Sequence, residues 1–317
     1  MITLENTSKY SAKKSESFGR YFGNLSAAFL DIETTGLSPE RCKIILTGFA
    51  VPEDDCISTY QFLAEDPSEE PLVLKRSLDF MRELDIAVTY NGKSFDIPFI
   101  EKRCLKNRIH MGDVLPYNLD IYQVLRHFSP LYGFLPNLRQ KTVENFLGLW
   151  SSRLDEISGS ESVDLYYHYA STGDEKIRDI ILLHNRDDVE QLAKLTQILE
   201  RCDLPRYLYT AGFPCRGNIV KARLDRGFLR ITGMQKNHPV NLSYFDDFNT
   251  GIRAEYDEYE RTLMILIPVI NEQNLTVCDL SGLPSEEEYL LLRNGDELLY
   301  DNIIKCTEII TGYVQGA

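Results

Sequence analysis

The spacing of apolar residues changes period along the chain, and each change predicts an element. AAFLDIET (27–34) is an apolar run interrupted by two acids and reads as a buried strand. CKIILTGFAV (42–51) and DCISTYQFLA (55–64) are two further β-prone runs. PSEEPLVLKRSLDFMREL (67–84) switches to a helical period, with acids in its first turn. IAVTYNG (86–92) returns to strand, and DIPFIEKRCLKN (96–107) to helix, with Pro98 tolerated in the first turn. NLDIYQVLRHFSP (118–130) is a strand that becomes a helix. LPNLRQKTVENFLGL (135–149) and SVDLYYHYASTG (162–173) are helical, and residues 174–200 form a long helical stretch with one interruption.

After Leu204-Pro205 the pattern becomes alternation. IVKARLDRGFLRITGMQ (219–235), IRAEYDEYERTLMILIPV (252–269) and NLTVCDL (274–280) read as antiparallel strands, and residues 297–314 as a closing helix. The expectation is therefore a weakly patterned N-terminal arm (1–24), an α/β domain (25–203) and a smaller β-rich C-terminal domain (204–317). A length of 317 residues suits two domains at roughly 100–200 residues each.

Composition narrows the class. No run of 18 apolar residues is present, and the polar first residues lack the apolar centre of a secretory signal. Seven scattered cysteines without a CxxC pair argue for reduced thiols and a cytoplasmic protein, and against a zinc ribbon or a disulfide framework. The net charge of −14 argues against sequence-blind coating of nucleic acid, yet it is uneven. Residues 201–236 hold eight Lys/Arg and two Asp, a net of +6, whereas residues 237–317 have a net of −11. The basic stretch is a candidate phosphate-facing ribbon.

The chemistry lies in three acidic segments. Asp31 and Glu33 are two apart on one strand and so share a face, while Leu30 and Ile32 take the other. Two carboxylates on an apolar strand repel each other and lose solvation unless cations lie between them. Asp96 follows the Asn91-Gly92 turn at a helix start, where an N-cap role is the plain alternative. His184 and Asp188 are four apart on a helix and share a face.

Together these segments resemble the DEDD group of 3′–5′ exonucleases. DIETTGL (31–37) is similar to the first motif of that group, NGKSFD (91–96) to the second and HNRDD (184–188) to the third. DIYQVLRHF (120–128), LRQKTVENFLGL (138–149) and HNRDDVEQLAKL (184–195) resemble the YprB-like branch of RNase H-like proteins. The third motif departs from the group, because a histidine occupies the spacing at which Tyr-x-x-x-Asp enzymes carry tyrosine.

The resemblance implies an RNase H-like mixed sheet flanked by helices. It implies two Mg²⁺ or Mn²⁺ ions held by Asp31, Glu33, Asp96 and Asp188, and phosphodiester hydrolysis at a 3′ end, with single-stranded DNA or RNA as the partner and no membrane. Two such ions about 3.5–4 Å apart activate water and stabilise the leaving oxygen. His184 is the candidate general base, or else it orients Asp188. Thr34, Thr35 and Gly36 are expected against the terminal nucleotide, and Asn91 against a sugar or phosphate. Asp120 reads as a turn stabiliser, Asp187 as exposed and Phe95 as core. A non-catalytic nucleic-acid-binding or assembly module on the same scaffold, and a metal-dependent endonuclease, stay open as alternatives.

Overall fold

The computed structural model describes residues 1–9, 15–53, 55–112, 115–149, 159–225, 227–236, 238–246 and 249–316. They form two compact units, Met1–Cys202 and Asp203–Ala317. The first contains, in order, β1 (Ile2–Lys9), α1 (Glu16–Phe22), β2 (Ala27–Thr34), β3 (Ile44–Pro52), β4 (Cys56–Leu63), α2 (Glu70–Arg82), β5 (Ile86–Thr89) and α3 (Asp96–Lys106). There follow β6 (Tyr117–Asp120), α4 (Ile121–Phe128), α5 (Gln140–Phe146), α6 (Gly159–Thr172) and α7 (Glu175–Leu195). The six strands make one mixed sheet in the order β1-β4-β3-β2-β5-β6. β5 is parallel to both β2 and β6, and the other pairs are antiparallel.

Strand alternation sends side chains into two cores. Leu30 and Ile32 of β2 join Val73, Leu74 and Leu78 of α2 and Phe99 and Ile100 of α3. Ile45, Leu46 and Leu63 pack instead with Tyr166 and Tyr169 of α6 and Ile181 and Leu182 of α7. With Leu30 and Ile32 on the first side, Asp31 and Glu33 lie on the side of α7. A buried ion pair ties the first core together. Arg103 Nε and Nη2 donate to Glu70 Oε1 and Oε2 at 2.7 and 2.6 Å, and Glu70 Oε1 also accepts from the Ile44 amide at 2.9 Å.

Three local expectations differ from the structure. The expected arm instead supplies an edge strand, β1, paired with β4 from Ile2↔Leu63 to Lys9↔Cys56. Its side chains are mostly exposed, so its backbone ladder holds it and an apolar pattern does not announce it. The arm also supplies α1, capped by Ser15 and fastened where Glu200 accepts from Ser15 and Ser17. Residues 10–14 of that arm lie outside the described residues. The helix expected over 135–149 is limited to Gln140–Phe146, because Pro136 opposes helix at Leu135 and Asn137 turns the chain by accepting from the Arg139 amide. Asp187, expected to be exposed, is 3% exposed, since α7 is packed between the sheet and α6.

The second unit begins with α8 (Leu204–Ala211). Among the described residues, ten strands follow: β7 (Phe213–Cys215), β8 (Asn218–Asp225), β9 (Phe228–Gln235), β10 (Leu242–Asp246), β11 (Ile252–Asp257), β12 (Thr262–Pro268), β13 (Ile270–Glu272), β14 (Leu275–Asp279), β15 (Tyr289–Asn294) and β16 (Glu297–Leu298). The chain closes with α9 (Tyr300–Gly316). The strands form a six-stranded sheet in the order β10-β11-β12-β9-β8-β7 and a four-stranded sheet, β13 to β16. Every pairing is antiparallel. Alternation along β8 and β9 buries Val220, Ala222, Leu229 and Ile231 and exposes Lys221, Arg223 and Arg230. No described helix is long and apolar enough to cross a membrane.

Candidate active site

The three acidic segments meet where β2 outruns its neighbour. β2 and β5 pair only over Ala27–Phe29 with Ile86–Val88, so β2 continues past that ladder with its later amides unpaired on the β5 side. The Asp96 carboxylate takes over there, and its Oδ1 accepts from the Ile32 amide at 3.2 Å. Asp96 is therefore bound to β2 from the first turn of α3, and the N-cap position belongs to Phe95.

From the other side α7 brings His184 and Asp188. His184 Nε2 is 3.7 Å from Glu33 Oε1 and 3.6 Å from Asp188 Oδ2. One ligand atom from each of Glu33, His184 and Asp188 lies within 4.8 Å of the other two. Asp31 feels the charges of Asp96, Asp188 and Glu33.

This crowding changes the acids. Burial, followed by repulsion from Asp96, Asp188 and Glu33, raises the Asp31 carboxyl well above its usual range, against an Asn185 hydrogen bond that lowers it. Burial likewise pushes Glu33 to about 7, opposed chiefly by His184. Asp96 is pushed to about 7 by burial, although its own amide and that of Ile32 lower it. Several buried carboxylates that resist ionisation have one simple remedy, which is a cation. Hard divalent cations prefer such oxygen donors, and a histidine among them is tolerated by Mn²⁺. The donor set thus fits such ions, and Asp31, Glu33, Asp96 and Asp188 are the carboxylates that could hold them.

The expected substrate-facing residues have other partners too. Thr34 Oγ1 donates to the Gly36 carbonyl at 2.8 Å, and Thr35 Oγ1 accepts from the Lys43 amide at 2.9 Å. Both hydroxyls shape the turn after β2. Gly36 has φ +150°, and a Cβ there would lie 2.8 Å from Cys42 Sγ. Asn91 takes φ +65° in the turn after β5, a conformation that asparagine tolerates well. The buried carboxylate of Asp120 holds that turn, accepting from the amides of Asn91 at 2.9 Å and Lys93 at 3.0 Å. Phe95 packs against Phe99, with ring centroids 5.4 Å apart.

Three polar residues at the site escape motif reasoning. Ser162 of α6 donates to Glu33 Oε2 at 3.4 Å. Asn185 of α7 donates to Asp31 Oδ2 at 3.2 Å and accepts from Gln61 of β4 at 3.0 Å. A signal existed for two of them, since Gln61 interrupts an apolar strand and Asn185 adjoins His184. Nothing in the sequence marks Ser162.

The family model described as the RNase H superfamily matches residues 28–200. The Bacillus subtilis protein named uncharacterized protein YprB is 29% identical over 204 residues, covering 62% of this chain and 46% of that protein. An uncharacterized protein of Methanocaldococcus jannaschii is 28% identical over 185 residues, 57% of this chain and 98% of that protein. This chain thus matches under half the length of the first relative and nearly all of the second. Among solved structures, the family B DNA polymerase of Pyrobaculum calidifontis aligns with a TM-score of 0.45 at 19% identity, over 57% of this chain and 25% of its own. An exonuclease I structure aligns with a TM-score of 0.38 at 12% identity, over 66% of this chain and 55% of its own.

Proposed function

The chain belongs to the RNase H superfamily and resembles its YprB-like members, and from that premise we propose that it is a two-metal-dependent 3′–5′ exonuclease of the DEDD type. The observation that carries the reading is the cluster of Glu33 from β2 with His184 and Asp188 from α7, with Asp31 two residues along the same strand and Asp96 of α3 bound to the Ile32 amide between them. When bound, Mg²⁺ or Mn²⁺ ions lower the pKa of water and stabilise the oxygens of an in-line displacement at phosphorus.

The residues of the chain do the rest. Asp31, Glu33, Asp96 and Asp188 hold and orient. His184 Nε2 accepts the proton of the attacking water, and its carboxylate neighbours stabilise the imidazolium that results. Thr34, Thr35, Gly36 and Asn91 line the turns where a terminal nucleotide is held. Lys221, Arg223 and Arg230, on the exposed face of the second unit, supply phosphate contacts for a single strand. We take 25–203, with β1 and α1 built into it, and 204–317 as the two working parts of the chain, and the cytoplasm, where thiols stay reduced, as its compartment.

The test is direct. Purified protein with Mn²⁺ shortens a 3′-ended labelled oligonucleotide stepwise, and Asp31→Ala abolishes the shortening. Cleavage that survives Asp31→Ala rejects the assigned site. Cutting of a circular single strand rejects exonuclease action in favour of endonuclease, because a circle has no end. Parallel DNA, RNA and hybrid substrates identify the strand.

A further inference from the structure

A cross-strand row runs from the site into the core. Asp31 of β2 is registered opposite Gly48 of β3, and Gly48 opposite Gln61 of β4. Asn185 of α7 lies across this row and reaches both ends. Its Nδ2 donates to Asp31 Oδ2 at 3.2 Å, and its Oδ1 accepts from Gln61 Nε2 at 3.0 Å. Gly48 in the middle makes the crossing possible, because a Cβ there would lie 2.8 Å from Asn185 Cγ and closer still to Oδ1.

The polarity of the chain of hydrogen bonds is determined from its inner end. Gln61 Nε2 also donates to the Leu182 carbonyl at 2.8 Å, and a backbone carbonyl can only accept. Gln61 must therefore turn its amide nitrogen towards α7. Its second hydrogen then requires an acceptor, so Asn185 must present Oδ1 to it and Nδ2 to Asp31. Gln61 and Asn185 are buried, so the hydrogen bond between them lies away from solvent.

We propose that Asn185, oriented by Gln61 and seated over Gly48, is a positioning residue that holds the Asp31 carboxylate in its cation-binding orientation. This rests on the two-metal reading above. Outer partners of this kind contribute about 10–100-fold in metal affinity.

The experiment is Mn²⁺ calorimetry on the full chain without nucleic acid, beside thermal unfolding of the same samples. Gln61→Glu is isosteric and reverses the polarity. It replaces the obligate donor with an acceptor, so Asn185 turns its nitrogen inward and its oxygen onto Asp31. Mn²⁺ affinity is expected to fall about 10–100-fold. Asn185→Ala, which removes the donor without adding charge, gives the same loss should the buried glutamate unfold the sheet. In both variants the Mn²⁺ concentration for half-maximal hydrolysis rises, and saturating Mn²⁺ restores the rate, which a merely damaged fold would not allow. Asp31-dependent Mn²⁺ binding that is unchanged in folded Gln61→Glu and Asn185→Ala overturns the positioning role alone. Absence of Asp31-dependent Mn²⁺ binding in the unaltered chain overturns the two-metal reading and this role with it.

Discussion

Glu33 shows at the residue scale what gathering buried carboxylates costs. Its carboxyl is pushed to about 7 from an ordinary value of 4.5, chiefly by burial. The folded chain therefore holds a proton there that the unfolded chain has released over much of that interval. Stability from this group is present below about 4.5 and is lost as pH rises through about 7. Asp96 contributes in the same direction. In a chelator, Glu33→Gln is expected to stabilise the protein at pH 8 relative to wild type, by on the order of 1–3 kcal/mol, and to change little at pH 4. Urea unfolding of the pair at the two pH values reads this, and an equal effect at both contradicts it. With Mn²⁺ present the order at pH 8 reverses, because only the wild type keeps all four holders and gains linkage stability from the ion.

At the scale of elements, the site depends on how α2, α3 and β3 are pinned beneath it. α3 carries Asp96 at its start and Arg103 two turns on, and Arg103 forms its bidentate pair with Glu70 of α2. Glu70 in turn accepts from the Ile44 amide at the head of β3. Both side chains are buried, so removal of one leaves the other uncompensated. Arg103→Met is expected to destabilise by about 3–5 kcal/mol, measured by denaturant unfolding. A cost below 1 kcal/mol would mean that solvent reaches Glu70. The edge strand β1 teaches a related lesson. It closes the sheet through backbone pairing, although its side chains are largely exposed.

Over the whole molecule, the charge of −14 is unevenly distributed, and the proposed grip on nucleic acid would use its basic part. The exposed face of β8 and β9 presents Lys221, Arg223 and Arg230, with Arg223 stacked on Tyr209 at 4.9 Å and Arg230 bonded to Asp225 at 2.7 Å. Like charges directly opposite in a sheet are unfavourable, yet Arg223 and Arg230 are cross-strand partners. Lys221→Ala with Arg223→Ala, in an Asp31→Asn background that cannot degrade its ligand, is expected to lower the slope of log K against log salt by about 1.4 for a single strand. Fluorescence anisotropy between low and moderate salt measures it, and an unchanged slope removes these residues from the interface.

Much of the fold, and the placing of several candidate site residues on shared faces, were legible in the residues alone. Period changes located most strands and helices, and the pairing of Asp31 with Glu33 on one strand face follows from alternation without further information. Spacing alone also put His184 and Asp188 on one helical face. Tertiary structure decided the rest. It alone placed Asp96 on the Ile32 amide beyond the end of β5, buried Asp187, recruited residues 2–9 as a sheet edge and joined Gln61, Gly48 and Asn185 across three elements. The reason is physical: periodicity records which side of its own element a residue takes, whereas a hydrogen bond between residues 124 positions apart depends on strand register and helix placement, which local sequence does not encode.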